Sequence, residues 1–306
     1  MKVEELQHFG GRRLTISEDG NLIATALLTK TLEFTSTINT IQIFDLTTQT
    51  LIRELEVPNA PVIGTNALAF SPDGSFLVAA GLENAVFVWD INTGELVYKF
   101  PFWSVIYGVS FSSDNKLLAA TTPGERGGVV VWDLASGDSV EFPGSIPSID
   151  VAFIPNSTTL AIALANRHPQ ISGEGIIMLW NIQSGETEVI FTGQVGEGIA
   201  VSLDGSILAA KVDGNLRLWD LQKSIEIDVD NKEADFGLVQ IIFSKQETLA
   251  VLDPGNDNSL ITIWNTEGKL LAQLQEKGIL DIAFDPTGHL FFSKPDAPIT
   301  IWGRIP

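Results

Sequence analysis

NALAFSPDGSFLVAAGLENAVFVWDINTGELVYKF, residues Asn66 to Phe100, is the stretch whose reading decides the fold. A short apolar run turns at Ser71-Pro-Asp-Gly74 and returns through Phe76 to Gly81. A third run, Ala85 to Trp89, ends at Asp90, and after Asn92-Thr-Gly-Glu95 a fourth run reaches Phe100. Gly and Asp supply the positive backbone angles that tight hairpins need, so the stretch reads as four short strands in one antiparallel meander.

The same unit recurs along the chain. Aligned on the aromatic that ends each third strand, the copies carry Phe44-Asp45, Trp89-Asp90, Trp132-Asp133, Trp180-Asn181, Trp219-Asp220, Trp264-Asn265 and Trp302-Gly303, at intervals of 45, 43, 48, 39, 45 and 38 residues. A period of about 40 to 45 residues with a Trp-Asp signature is that of a four-stranded propeller blade, and the alignment counts seven. With Phe70-Ser-Pro-Asp-Gly74 and Asp213-Gly-Asn-Leu-Arg-Leu-Trp-Asp220 as its nearest matches, the chain resembles the WD40-repeat β-propeller family along its whole length. The resemblance implies an all-β, seven-bladed β-propeller of four-stranded antiparallel blades, acting as a non-catalytic scaffold for protein–protein interaction. Such a motif speaks for the fold; function has to come from a site.

One family feature is missing. Repeats of this kind commonly carry Gly-His ahead of the first strand, the His joining Asp, Ser or Thr and Trp in a buried hydrogen-bond network. The corresponding positions here are Gln7, Pro61, Phe102, Gly144, Gln194, Ala234 and Gln275. The blades are therefore expected to depend more on apolar packing, in keeping with 44% hydrophobic residues, and the seven aromatics at the Trp position to act as wedges between blades.

Composition narrows the partners. The chain has 306 residues, which one ring of seven blades accounts for as a single domain spanning 1–306, with each blade burying its faces against its neighbours. A formal charge of −20 disfavours nucleic acid and anionic membrane surfaces, which call for a basic footprint. There is no cysteine, hence no disulfide framework and no thiolate chemistry. The opening residues, MKVEELQHFGGRR, lack the apolar core of a signal peptide, and no run approaches the about 18 apolar residues of a membrane span; the expectation is a cytoplasmic chain, a monomer or a subunit of a larger complex.

Blade seven, from Leu280, stops just after its third strand, whereas residues 3–8 precede any complete repeat. Pairing the two completes the last blade and removes an exposed edge, so residues 3–8 are expected to form its outer strand. In a meander, second-to-third-strand loops and blade-to-blade connections emerge on one face, and the remaining turns on the other. The first, the loop face, carries the longer segments: Thr29 to Asn39, Thr121 to Gly128, Asn166 to Gly175 and Asp253 to Ser259. Functional surface is expected there.

A search for chemistry finds little that is assembled. Of three histidines, His8 and His289 read as structural and His168 lies in a long loop; no G-x-S-x-G elbow surrounds any serine. Gly173-Glu-Gly175 and Gly196-Glu-Gly198 lack the third glycine and the helix of a phosphate cradle and read as loop glycines. Asp150 and Asp281, with Gln240, share one register on the inner strands, three residues before the blade's first-turn aromatic, and Arg13 takes that place in blade one. Facing the channel, such groups would suit the hard cation of a lactonase-like propeller hydrolase, the alternative reading; facing the next blade, they would be structural. No cofactor is implied.

Two features rise above this background. Phe102-Trp103-Ser-Val-Ile-Tyr107 brings aromatics to the connection between blades two and three, either to anchor a partner or to fill the space left by the missing His. Arg13, Lys30, Arg126, Arg167 and His168 map to the loop face or just beneath it, while the turn face collects carboxylates such as Asp19, Asp73, Asp114 and Asp204. Arginine's planar fork suits carboxylate recognition, although ordinary ion pairing would produce the same pattern. These features point to a loop face that holds a partner protein or peptide through Arg13, Lys30, Phe102, Trp103, Tyr107, Arg126, Arg167 and His168.

Overall fold

The computed structural model describes residues 4–6, 13–30, 36–57, 65–81, 85–123, 128–143, 147–164, 175–229, 240–255, 258–295 and 297–304. After β1 (Glu4–Leu6), the first blade is β2 (Arg13–Ile16), β3 (Leu22–Lys30), β4 (Ser36–Asp45) and β5 (Thr50–Glu56); the second is β6 (Thr65–Phe70), β7 (Phe76–Gly81), β8 (Ala85–Asp90) and β9 (Leu96–Pro101). The third is β10 (Gly108–Phe111), β11 (Leu117–Thr122), β12 (Gly128–Asp133) and β13 (Ser139–Glu141); the fourth is β14 (Ser148–Phe153), β15 (Thr159–Leu164), β16 (Gly175–Asn181) and β17 (Thr187–Gly193). The fifth is β18 (Val195–Val201), β19 (Ile207–Val212), β20 (Asn215–Asp220) and β21 (Ile225–Ile227); the sixth is β22 (Gln240–Phe243), β23 (Thr248–Asp253), β24 (Ser259–Asn265) and β25 (Leu270–Glu276). The last has β26 (Asp281–Phe284), β27 (His289–Ser293) and β28 (Ile299–Arg304).

Each set is a four-stranded antiparallel meander, and the seven together are the blades of a seven-bladed β-propeller. The seventh takes its outer strand from the other end of the chain, in the order β1-β28-β27-β26, with Glu4 opposite Ile301, Glu5 opposite Thr300 and Leu6 opposite Ile299. The expected span was 3–8; of it, 3, 7 and 8 lie outside the described residues. The chain divides into two compact units, Met1–Tyr107 with Gly278–Pro306, and Gly108–Lys277. Blades seven, one and two belong to the first, and blades three to six to the second.

Within each unit the blades pack by one rule. Trp89 of blade two sits with Ile41, Ile43 and Leu55 of blade one. Phe44 of blade one sits with Phe291 and Ile299 of blade seven. In the second unit Trp180 meets Phe142 of blade three edge-on at 5.2 Å, and Trp219 meets Phe191 of blade four at 5.7 Å. The aromatic ending each of these third strands is thus a wedge driven into the preceding blade, as the sequence suggested. The second strands, such as Ala-Ile-Ala-Leu in β15, are buried along almost their whole length and read as unbroken apolar runs because both faces are covered. The absence of the His network leaves a mark: the Trp180 indole N–H is buried with no hydrogen-bond partner, whereas that of Trp264 donates to Thr262 Oγ1 at 2.9 Å.

Two expectations are corrected. Thr29 to Asn39 is not a loop throughout: β3 runs to Lys30 and β4 starts at Ser36, with Thr29 opposite Thr37 and Lys30 opposite Ser36. The threonines there, β-branched, extend the hairpin. Gly196-Glu-Gly198 is not a loop either but a bulge inside β18, where the ladder passes from Val195–Val212 to Ile199–Ala210. The missing side chain at Gly196 makes room for the buried Lys211 stem, 3.2 Å from where a Cβ would stand.

Because Leu6, 3% exposed, packs with Leu14, Phe44, Phe291 and Ile299, the three-residue β1 matters beyond its length. Leu6→Ala is expected to cost about 2–4 kcal/mol in a urea titration; an unchanged midpoint would contradict the pairing of β1 with β28.

Candidate functional site

The turns come first, because they set what is rigid. Ser71 Oγ donates to Asp73 Oδ1 at 2.7 Å and accepts the Phe76 N–H at 2.9 Å, while Gly74 closes the turn at φ +72°. The device repeats at Ser17-Asp19, Ser112-Asp114 and Ser202-Asp204, where the serine accepts the N–H of Leu22, Leu117 and Ile207, each at 2.9 Å. The serine hydroxyls lead in holding the Asp114 and Asp204 carboxyls below the ordinary aspartate value. At Asp73 burial pulls upward, but the bonds from Ser75 and Ser71 outweigh it. In blades three and four the Asp or Asn after the Trp caps the second turn: Asp133 Oδ1 accepts the N–H of Ala135 and Ser136 at 2.9 Å, and Asn181 Oδ1 those of Gln183 and Ser184 at 3.0 Å. The carboxylates of the turn face are structural before they are anything else.

The inner-strand carboxylates answer the question the sequence left open. Asp281 Oδ2 accepts the Leu14 N–H of the neighbouring blade at 2.8 Å and Oδ1 the Ile282 N–H at 3.0 Å, with the Arg13 guanidinium 3.8 Å away. Asp150 repeats this across blades four and five, with Oδ1 on the Val151 N–H at 2.9 Å and Oδ2 on the Ile199 N–H at 3.0 Å. Gly108 of blade three leaves the space: a Cβ there would stand 2.6 Å from Asp150 Oδ1. Both carboxylates therefore staple a blade to its neighbour. Among the described residues no three His, Cys, Asp or Glu side chains converge as metal ligands. His289 Nδ1 lies 2.9 Å from Asp285 Oδ2 and 2.7 Å from Thr287 Oγ1, inside its own turn.

On the loop side of the first unit, the chain leaves β9 at Pro101. Phe102 turns inward, 6% exposed, and stacks on Trp103 at 4.5 Å and 14° between the rings. Ile106 is fully buried and its N–H donates to the Gly81 carbonyl at the end of β7, 2.9 Å away. Between these two anchors Trp103 is held outward, 44% exposed, with Tyr107 half-buried beside the connection. Among the described residues Trp103 is the one aromatic in the exposed class; the other exposed large apolar side chains are aliphatic. The space-filling reading holds for Phe102 and Ile106, while Trp103 stands at the surface.

Of the other expected residues, Arg13 is half-buried against Asp281, and Lys30 ends β3. Arg126, Arg167 and His168 lie outside the described residues. Sequence reasoning missed Arg53, which donates to the carbonyls of Thr93 and Asn92 at 2.9 and 2.8 Å and clamps blade one to the second turn of blade two. It also missed Arg217, paired through two nitrogens with Glu226 and lying over the Phe191 ring at 5.2 Å. Neither position carries a motif; only the folded neighbours define it.

Known proteins agree with this geometry. The family described as WD domain, G-beta repeat, matches residues 49–90 and 94–133. Autophagy-related protein 16 of Arabidopsis thaliana is 28% identical over 168 residues, 52% of this chain and 30% of that protein. Small ribosomal subunit protein RACK1y of Oryza sativa subsp. japonica is 33% identical over 96 residues, 31% of this chain and 27% of that protein. The WD repeat-containing protein WDS homolog of Arabidopsis thaliana is 23% identical over 250 residues, 77% of this chain and 46% of that protein. In each case the match spans less than half of the relative's own length. With its seven four-stranded blades and Trp-Asp repeats, the chain is a seven-bladed β-propeller similar to WD40-repeat proteins, and two of its repeats match that family's model.

Two outcomes follow. Asp281→Ala leaves the buried Leu14 N–H without its acceptor and is expected to cost about 1–3 kcal/mol, Asp281→Asn less; equal stability of all three proteins would refute the staple. The turn aspartates have folded values lowered from 3.8, so their contribution is whole above that pH and is lost as pH falls through the depressed values. Ser112→Ala/Ser202→Ala is expected to lose about 1 kcal/mol per site at pH 7, with the gap to wild type narrowing in acid below the aspartate range. A gap that widens in acid would reverse the assignment.

Proposed function

We propose that the chain is a non-catalytic interaction scaffold, one seven-bladed domain over residues 1–306, that holds a partner protein or peptide on its loop face. The likeness to WD40-repeat proteins supports the scaffold role in general. One relative, RACK1y, is by name a small ribosomal subunit protein. We place this chain in the cytoplasm, as a monomer or a subunit of a larger complex.

The observation that carries the docking face is Trp103, an indole 44% exposed on a segment pinned by Phe102 and Ile106. An exposed aromatic held in one orientation has little conformational freedom to lose on binding, and such residues dominate interface energetics. Arg13, Lys30 and Tyr107, with Arg126, Arg167 and His168 that the sequence assigns to the loop face, are proposed to favour a partner segment that joins carboxylates to apolar side chains.

The test is affinity for the partner recovered with wild-type protein from native lysate. Trp103→Ala should weaken it by about 2 kcal/mol or more, with a melting curve confirming that the variant folds. Undiminished capture by this variant and by Arg126→Glu/Arg167→Glu would reject the loop face as the docking surface.

A further inference from the structure

The first turn of every blade places one residue in the left-handed backbone region. In six blades that residue is Gly20, Gly74, Asn115, Asn156, Gly205 or Gly288, types that adopt the conformation readily. Blade six has Glu247 there, at φ +57°. The turn still closes: the Glu247 N–H donates to the Ser244 carbonyl at 3.1 Å, and Ser244 Oγ accepts the Thr248 N–H at 3.0 Å. A strained glutamate contributes nothing to that closure that glycine would not. Its carboxyl, however, comes up to the first turn of blade five, and Ile207 and Leu249, which follow the two turns, share one core. Glu247 Oε2 is out of water and has no hydrogen-bond partner. Facing it is Asp204, whose Oδ1 takes the Ser202 hydroxyl at 2.7 Å and the Ser206 N–H at 2.8 Å, bonds that keep it ionised. The two turns carry one further charge, Lys245, which is exposed.

We infer that Glu247 is a proton-operated latch between blades five and six: ionised, its buried oxygen confronts Asp204 and loosens the contact of the two turns, and protonated, it lets them close. Burial, and after it the Asp204 charge, raise the Glu247 carboxyl above the ordinary glutamate value; the Asp204 N–H pulls the other way and is outweighed. The folded chain therefore binds this proton more tightly than the unfolded chain does. The penalty of the ionised group is whole above the raised value and is gone below the unfolded value of 4.5. Acid thus fastens this seam, whereas it weakens the turns held by Asp114 and Asp204, whose carboxyls are depressed.

Urea titrations of the wild-type chain and of Glu247→Gln between about pH 4 and about pH 8 test this, because the amide keeps the shape of the side chain and cannot ionise, while the other titrating groups are common to both proteins. Glu247→Gln should have the higher midpoint at about pH 8, and the gap should close as pH falls to about 4. The Glu247 carboxyl carbon, recognised in NMR spectra of the folded wild type as the resonance that Glu247→Gln lacks, should titrate with a midpoint above 4.5. A gap that stays constant with pH, a gap of the opposite sign at about pH 8, or a carboxyl midpoint at or below 4.5 overturns the inference.

Discussion

A four-stranded antiparallel sheet with two apolar faces can hide neither by itself. The rest of the structure follows from how that constraint is met: within each unit, blades bury one another through the aromatic that ends the third strand. Trp89, Trp180 and Trp264 lie among the aliphatic side chains of the blade before them, and Phe44 does the same against blade seven. The contacts are dispersion and desolvation, so the wedge tolerates Phe in place of Trp, and tolerates an indole N–H left unbonded at Trp180. The polar staples Asp150 and Asp281 then fix the register in which neighbouring inner strands meet, since each supplies an acceptor to one particular N–H of the next blade.

The same constraint explains why sequence repeat and blade are out of step. The family matches end at Asp90 and Asp133, each at the close of a third strand, so one repeat comprises the outer strand of one blade and the three inner strands of the next. A chain written in such units begins with an outer strand that belongs to the last blade. β1 is that strand, and its Leu6 enters the core between blades seven and one.

The fold was legible because it rests on local, repeated chemistry: short apolar runs, Ser-x-Asp turns and one aromatic per repeat. Even so, the role of the serine, which holds both its aspartate and the returning strand, emerges only from distances. The extension of β3 and β4 was obscured because threonine is at home in loops and strands alike, and the β18 bulge because glycine pairs read as a break. The site was legible only in part. An aromatic run on a connection stands out by composition, but which ring faces solvent depends on the backbone bond from Ile106 to Gly81 and on the stacking beneath Trp103. Arg53 and Arg217 take their meaning from partners 40 and 9 residues away and leave no pattern in the chain.

The absence of cysteine makes the central claim, that the two ends of the chain share one blade, open to a direct measurement. Glu5 and Thr300 are directly opposite in the β1–β28 ladder, and opposed antiparallel residues lie within disulfide reach. Glu5→Cys/Thr300→Cys, oxidised under dilute conditions, should close an intramolecular disulfide that shifts the unreduced protein on a denaturing gel, while Glu5→Cys/Phe292→Cys should not. Two thiols that remain reactive in the folded Glu5→Cys/Thr300→Cys protein would contradict the shared blade.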